Sequence, residues 1–214
     1  MKILAINGSP RGNASSSREI ISKLEKYTEG RATIHLAASR SDTFTEALLD
    51  HDVWVIAFPL YVDGLPASLM RFLLDAEAAL QKRKRNGSLP IRVFAVCNCG
   101  FYEGEQNAIA LKIVQHFCVA NGLQWCGGVG IGTGEMIRGN KNIPDQAGIK
   151  RPVVDALKML TEAMLEADGR MTTLFTQHKF PRFLYMKAGQ HGMRKQARNN
   201  GVTRRALHAR PLGE

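Results

Sequence analysis

The first seventeen residues restrict the fold of this chain more than any other segment. Residues 2–6 form a short apolar run, residues 7–17 are rich in Gly, Ser and Asn, and an amphipathic helix begins near Ser17. A buried strand that leads through such a loop into a helix forms a phosphate cradle, because N–H groups, hydroxyls and the helix dipole converge on one point. The segment therefore predicts a phosphate site at the carboxyl edge of a parallel sheet.

The loop sequence also narrows the kind of phosphate. A nucleotide-hydrolase loop needs G-x-x-x-x-G-K-[ST], and a dinucleotide-binding loop needs G-x-G-x-x-G. Gly8 and Gly12 fit neither spacing. What remains is a hydroxyl-rich loop with one arginine, Arg11, which suits a single terminal phosphate such as that of FMN. The alternative is a serine-rich turn that only caps the helix through Ser16 or Ser17.

Length and composition indicate one globular domain with an extension. The chain has 214 residues, of which 44% are hydrophobic. It contains no apolar run of the roughly 18 residues that a membrane-spanning helix needs. Residues 2–6 are too short for a signal peptide, so we expect a cytoplasmic protein. The spacing of the four cysteines fits neither a disulfide framework nor a zinc or iron–sulfur site, so we expect no metal.

Apolar strands alternate with amphipathic helices along most of the chain. Strands are predicted over residues 2–6, 33–37, 53–58, 91–97 and 124–131, and helices over residues 17–27 and 44–49, from near Pro66, and around residues 109–117 and 153–164. With right-handed crossovers, this pattern predicts an α/β three-layer sandwich whose five-stranded parallel sheet has the order 2-1-3-4-5. Residues 1–168 would form this domain, and residues 169–214 a basic helical extension.

Such a sheet binds ligands at the carboxyl ends of its strands, near the point where the strand order reverses. Four loops should meet there, over residues 7–17, 59–65, 98–107 and 132–150. In the second loop, Tyr61 could lie against a planar ring, or it could only cover the edge of the core. The fourth loop could be a lid, a site for nucleotide phosphates or a plain surface loop.

Two motifs together resemble a known family. N-G-S-P-R-x-N-x-S-S-S begins at Asn7, and F-P-L-Y-V-D-G-L-P-A-S-L begins at Phe58. Both are similar to the NAD(P)H-dependent FMN reductase-like family of flavodoxin-fold proteins. The resemblance implies FMN as bound cofactor and NAD(P)H as electron donor. It implies contacts with the FMN phosphate from Ser9, Arg11, Asn13, Ser15, Ser16 and Ser17, and contacts along the ribityl chain and ring from Pro59, Leu60, Tyr61, Val62 and Asp63.

The third loop departs from the family pattern. Gly100 and Gly104 remain of the Gly-rich loop that many relatives have beside the flavin, and Asn98 and Gly100 are the expected cofactor contacts. Phe101, Tyr102 and two acids, however, are bulky and charged. We therefore expect either a filled cavity or a weakened affinity for FMN as an alternative to ordinary binding. Cys99 lies on the same edge, where it is either a buried thiol or a redox-sensitive one.

The function expected from these features is that of an FMN-dependent NAD(P)H oxidoreductase. It would pass a hydride to bound FMN and on to a quinone, a flavin or another small acceptor. No catalytic side chain is predicted, because the cofactor carries the chemistry. The alternatives are a flavodoxin-like electron carrier without a nicotinamide site, and a flavin-free interaction module. By analogy with flavodoxin-fold reductases, we expect a homo-oligomer, such as a dimer.

The positive charge of the chain is concentrated in its tail. Of the net charge of +10, the residues from Gly169 onward carry +9, with ten Lys or Arg and one acid. Phe180, Phe183 and Leu184 alternate with these bases. The tail could pack on its own domain or a partner subunit, could lie on an anionic membrane surface, or could bind nucleic acid. Nucleic acid is the least favoured, because the tail has no recognised motif.

Overall fold

A computed structural model describes residues 1–36, 44–87, 90–203 and 206–209 of the chain. They belong to two compact units, Met1–Lys179 and Phe180–Glu214. The predicted boundary at residue 168 falls before the last strand of the first unit. Ala37, the final residue of the predicted second strand, lies outside the described residues. Among those described, no helix combines the length and hydropathy that crossing a membrane requires.

The first unit is built on a six-stranded, entirely parallel sheet in the order β2-β1-β3-β4-β5-β6. The strands are β1 (Ile3–Asn7), β2 (Ala32–Leu36), β3 (Val53–Pro59), β4 (Arg92–Asn98), β5 (Gln124–Ile131) and β6 (Leu174–Thr176). The predicted order is confirmed for the first five strands, and the predicted count of five was wrong. β6 has only three residues, paired with Val129–Ile131, and is too short to show a period in the sequence.

Helices cover both faces of the sheet. They are α1 (Ser16–Tyr27), α2 (Ala67–Arg85), α3 (Ala108–Ala120), α4 (Glu135–Gly139) and α5 (Arg151–Leu165), with α6 (Arg182–Asn199) in the second unit. Pro66 occupies the N-cap of α2, close to its predicted start. The helix predicted over residues 44–49 is a short 3-10 helix, Glu46–Asp50.

Each face of the sheet has its own apolar core. On one face, α1 and α5 pack against side chains such as Val55 and Val129. On the other, α2 and α3 pack against Trp54 and Phe58. Because residues 53–58 are buried whichever face they point to, the segment is a continuous apolar run, as is typical of a central parallel strand.

A buried arginine closes the amino edge of the sheet. Arg92, the first residue of β4, donates hydrogen bonds to the carbonyls of Met164 at 2.8 Å, Gly169 at 3.2 Å and Ala163 at 3.4 Å. Carbonyls at and beyond a helix C-terminus lack partners within the helix. The guanidinium supplies those partners at the end of α5, where a positive charge also complements the helix dipole.

Candidate functional site

A cleft of about 120 Å³ opens at the carboxyl edge of β1, β3 and β4, where the strand order reverses. Residues from all four expected loops line it: Ser9, Arg11, Ser15, Ser16, Ser17, Pro59, Leu60, Tyr61, Asn98, Cys99, Gly100, Gly134 and Glu135. The sequence had therefore indicated the correct edge of the sheet.

Most of the predicted site residues meet in this cleft. Ten of the thirteen line it, and the exceptions are Asn13, Val62 and Asp63. Asn13 is exposed within the 3-10 turn Gly12–Ala14, and the other two form the exposed tip of the second loop. The contacts of all thirteen with a cofactor stay a prediction.

The first loop is shaped by its own side chains. The Asn7 side chain accepts a hydrogen bond from the Ser9 N–H at 3.1 Å and donates one to the Gly12 carbonyl at 3.1 Å. Ser15 is the N-cap of α1, accepting a bond from the Arg18 N–H at 3.1 Å. The cap is therefore neither Ser16 nor Ser17. With the loop held in this way, the first-turn N–H groups of α1 have no acceptor within the helix.

The serine hydroxyls divide into two pairs. Ser15 and Ser16 donate to the carbonyls of Gly12 at 2.6 Å and Gly134 at 3.0 Å, so their hydrogens are already committed. Ser9 and Ser17 instead accept, from the Arg11 N–H at 3.3 Å and from Asn98 Nδ2 at 3.1 Å. The hydroxyl hydrogens of this second pair are therefore available to an anion in the cleft, together with the Arg11 guanidinium.

The second loop is a tight turn in an unfavourable backbone conformation. Tyr61 and Gly64 exchange two backbone hydrogen bonds, of 3.1 and 3.0 Å. Val62 and Asp63 between them have φ angles of 48° and 56°, a region that β-branched residues such as valine rarely adopt. Such strain is often found at binding and catalytic sites. The turn leaves the Tyr61 ring 43% exposed at the cleft.

The third loop is tied to β5 and does not fill the cleft. Its Cys99 and Phe101 carbonyls accept bonds from the N–H groups of Gly134 at 2.7 Å and Thr133 at 2.6 Å. A Cβ on Gly132 would lie 2.1 Å from the Tyr102 carbonyl oxygen, so only glycine allows this approach. Neither Phe101, which is 56% exposed, nor Tyr102 lines the cleft. The expectation that these rings fill the cavity is therefore not supported.

Cys99 does line the cleft, but its surroundings oppose reactivity. The residue is buried, and burial raises the pKa of its thiol despite a 3.4 Å hydrogen bond from Asn107 Nδ2. Because the thiolate is the nucleophilic form, a raised pKa argues against a redox-sensitive role. The other three cysteines are also free and buried.

The fourth loop, residues 132–150, contains α4 and is anchored at its far end. The Asp145 carboxylate contacts Lys23 of α1, Tyr27 at 3.0 Å and the buried Lys150 at 3.2 Å. Burial opposes ionisation of Asp145, but the hydrogen bonds from Lys23 and Lys150 outweigh it and hold the pKa at about 2. These bonds argue against a lid that opens freely.

A buried pair fixes the start of the same loop. Thr133, with a φ of 54°, places its hydroxyl oxygen 2.9 Å from Nδ1 and 3.0 Å from the backbone N of His178. Burial, and then the charge of Lys150, lower the pKa of His178 to about 4. The imidazole is therefore neutral at neutral pH. Gly134 and Glu135, which follow Thr133, are held beside the first loop.

A comparison with protein families agrees with this architecture. Residues 1–74, which contain β1, α1, β3 and the first two cleft loops, match the family model described as a flavodoxin-like fold. The chain has a flavodoxin-like fold. The flavodoxin fold that the two sequence motifs imply is thereby confirmed. No curated protein matches the chain significantly.

Solved structures extend the likeness over most of the chain. The Trp repressor binding protein of Bacillus subtilis is 19% identical, with a TM-score of 0.54 over 78% of this chain and 99% of that one. An NADPH-quinone reductase from P. pentosaceus is 14% identical, with a TM-score of 0.54 over 75% and 98%. General stress protein 14 of Treponema denticola, solved with FMN, is 15% identical, with a TM-score of 0.52 over 77% and 99%. At such identities the likeness shows the fold alone.

Two residues of the flavodoxin-like cleft were missed by sequence reasoning. Gly134 and Glu135 come from the long fourth loop, for which several roles were open. The available signal was the edge rule itself, because this loop leaves the carboxyl end of β5 next to β4. Glu135 matters because it brings a carboxylate into a cleft whose other charged side chain is Arg11.

Proposed function

We propose that the protein is an FMN-dependent oxidoreductase that takes a hydride from NAD(P)H and passes it to a quinone, a flavin or another small acceptor. The observation that carries the proposal is the donor set of the cleft. The donors are the Ser9 and Ser17 hydroxyl hydrogens, the Ser16 and Ser17 N–H groups at the start of α1 and the Arg11 guanidinium, all from residues that line one cavity at the switch point of the sheet.

This donor set fits a phosphate monoester better than a diphosphate. It has one arginine, no P-loop lysine and the N-terminus of one long helix, α1, which together suit a single phosphate group. Asn98 has a supporting role here, because its Nδ2 already donates to Ser17 at 3.1 Å and to the Phe58 carbonyl at 3.0 Å. It thereby orients the Ser17 hydroxyl.

The same cleft offers a surface for a planar ring. Tyr61 is partly exposed there. Gly100 also lines the cleft, and it has no side chain that would occupy the space of a ring. When bound, FMN would supply the ring system that accepts and donates the hydride. The chain itself needs to hold that ring and leave one face accessible.

The similar proteins support the proposal by name. The P. pentosaceus structure is that of an NADPH-quinone reductase, and the Treponema denticola protein was solved with FMN. The expected homo-oligomer stays a prediction.

The test is the visible absorption spectrum of the purified protein, recorded with added FMN before and after anaerobic addition of NADPH and then NADH. A bound flavin that bleaches supports the proposal. A bound flavin that stays oxidised with both nucleotides would identify an electron carrier instead. A protein that takes up no FMN would contradict both and would favour a flavin-free interaction module.

A further inference from the structure

Helix α6 belongs to a unit that is too small to bury it. Phe180–Glu214 contains α6 and a short 3-10 helix, Ala206–His208. Segments below about 40 residues rarely form a core of their own. None of the α6 residues is buried, and Phe183 and Met193 are 62% and 75% exposed.

Three exposed apolar side chains of α6 form one stripe. Phe183, Met186 and Met193 are separated by three and seven residues, so they share one side of the helix with Gln190, whereas the exposed Leu184 lies about 100° away from Phe183. At 100° per residue, Lys187, Arg194 and Arg198 fall along one border of this stripe. Residues 180–203 include no Asp or Glu. The helix therefore has three large apolar side chains on one side, bases beside them, and no acidic residue.

The two arginines at this border also line a groove. Arg194 and Arg198 lie one turn apart and border a depression of about 350 Å³ with Gly201, Val202, Thr203 and Leu207. The chain turns back there, because the Val202 N–H donates to the Ala197 carbonyl at 2.9 Å. Neither arginine has an acidic partner among the described residues. Two guanidiniums beside apolar side chains suit a ligand that is anionic at one end and apolar at the other.

We propose that α6 and this groove bind the surface of an anionic lipid membrane. The apolar stripe would enter the boundary between headgroups and acyl chains, and the bordering bases would contact lipid phosphates. Nucleic acid would engage the bases but would leave the Phe183 and Met193 side chains without a role. A second copy of the helix would bring the same positive charge, which opposes pairing of two α6 helices.

The backbone of α6 suggests that membrane binding also stabilises the helix. Gly189 and Gly192 lie inside it, and a Cβ at either position would meet no atom within 4 Å. The structure thus gives no packing reason for two residues that each weaken a helix by about 1 kcal/mol relative to alanine. A helix of this kind is marginal in water and gains order at an interface.

The test is flotation of the full-length protein with vesicles of phosphatidylcholine alone, or of equal parts phosphatidylcholine and phosphatidylglycerol. We expect binding only to the anionic vesicles, with partitioning that falls as salt is added. The double variant Arg194→Gln/Arg198→Gln should partition roughly thirtyfold more weakly. The double variant Phe183→Ser/Met193→Ser should partition at least about tenfold more weakly.

The matched control is Lys82→Gln/Arg85→Gln, which removes two exposed charges from the last turn of α2. It should float like the unmodified protein. All three double variants should unfold at the same urea concentration as the unmodified protein. No flotation with anionic vesicles, or equal loss in the control, would overturn the proposal. So would binding to single-stranded or duplex DNA that depends on Arg194 and Arg198 while vesicle binding does not.

Discussion

The unpaired backbone groups at helix ends have different partners at the two edges of the sheet. At the amino edge, the carbonyls around the end of α5 are bonded to the buried guanidinium of Arg92. At the carboxyl edge, the first-turn N–H groups of α1 face a cleft and have no acceptor within the helix. Both ends need a charge of the right sign. One receives it from within the chain, and at the other we propose that a ligand supplies it.

This difference shows why an internal cation and a binding site are alternatives at a helix end. Arg92 is buried and makes three bonds to carbonyls, so these carbonyls at the end of α5 already have a donor. Arg11 is exposed, and the hydroxyl hydrogens of Ser9 and Ser17 beside it are uncommitted. An experiment that perturbs one edge should therefore change stability, whereas one that perturbs the other should change binding.

The largest effect should come from Arg92→Met, which breaks the closed edge. Three buried carbonyls lose their donor, and at about 1 kcal/mol each the free energy of unfolding should fall by about 3 kcal/mol. Urea unfolding measures this change, and the affinity for FMN should stay the same. The control is Arg31→Met, at an exposed arginine whose partner is the exposed Glu29. Equal stability of the two variants would contradict the closure role.

His178→Asn should sharpen the comparison within the carboxyl edge. Burial keeps the pKa of His178 at about 4, below its ordinary 6.5, so the unfolded chain binds more protons between these values. The free energy of unfolding should therefore fall by roughly 2 kcal/mol as the pH drops from 6.5 to 4. The variant should lose most of that dependence in pH-resolved urea titrations.

The control for this pH experiment is His116→Asn, at an exposed histidine on α3, which should keep the slope. Asp145 does not interfere, because its pKa of about 2 places its contribution in a more acidic range, below its ordinary 3.8. If His178→Asn retained the full slope between pH 4 and 6.5, the buried imidazole would not be its source.

Arg11→Gln should weaken binding at the open edge without changing stability. The variant removes the arginine of the proposed phosphate site, so the Kd for FMN should rise about tenfold. The Kd for riboflavin, which lacks the phosphate, should not change. Arg18→Gln serves as control, since Arg18 lies in the first turn of α1, is paired with Glu25 at 3.1 Å and does not line the cleft. Equal losses for both flavins would argue against a phosphate contact.

The smallest effect should come from Glu135→Gln, and it should have the opposite sign. A carboxylate in the cleft opposes a phosphate, so its removal should tighten FMN binding about threefold at low salt. Isothermal titration at low and high salt can measure this gain, which should be absent for riboflavin. Glu19→Gln, in the first turn of α1 but outside the cleft lining, should show no gain. A weaker FMN affinity for Glu135→Gln would mean that this residue supports the ligand.

The features of the fold that could be predicted from the sequence are those that depend on residues close to one another along the chain. Central strands were visible because burial on both faces requires an unbroken apolar run, as in residues 53–58. The edge rule then brought ten predicted residues to one cleft. β6 was not predicted, because its three residues are too few to show the periodic pattern of a strand.

Contacts between distant residues were beyond such reasoning. Lys23 and Asp145 are 122 positions apart, and Arg92 reaches Met164 across 72. No local pattern reveals such partners, yet they anchor the loop that carries Glu135 and close the end of α5. The third loop was misjudged for the same reason. Its bulky residues suggested a filled cavity, whereas glycines of another strand and loop allow it to pack on β5.

The turn at Val62 bears on how this protein would respond to directed evolution. A wholly exposed valine in a left-handed conformation gains nothing from burial and carries a backbone penalty of about 1 kcal/mol or more. A library selected only for heat resistance should therefore quickly replace Val62 with Gly or Asn. One selected for turnover need not make that replacement. The frequency of valine at this position in the two libraries would show whether the strained turn lowers heat resistance and supports turnover.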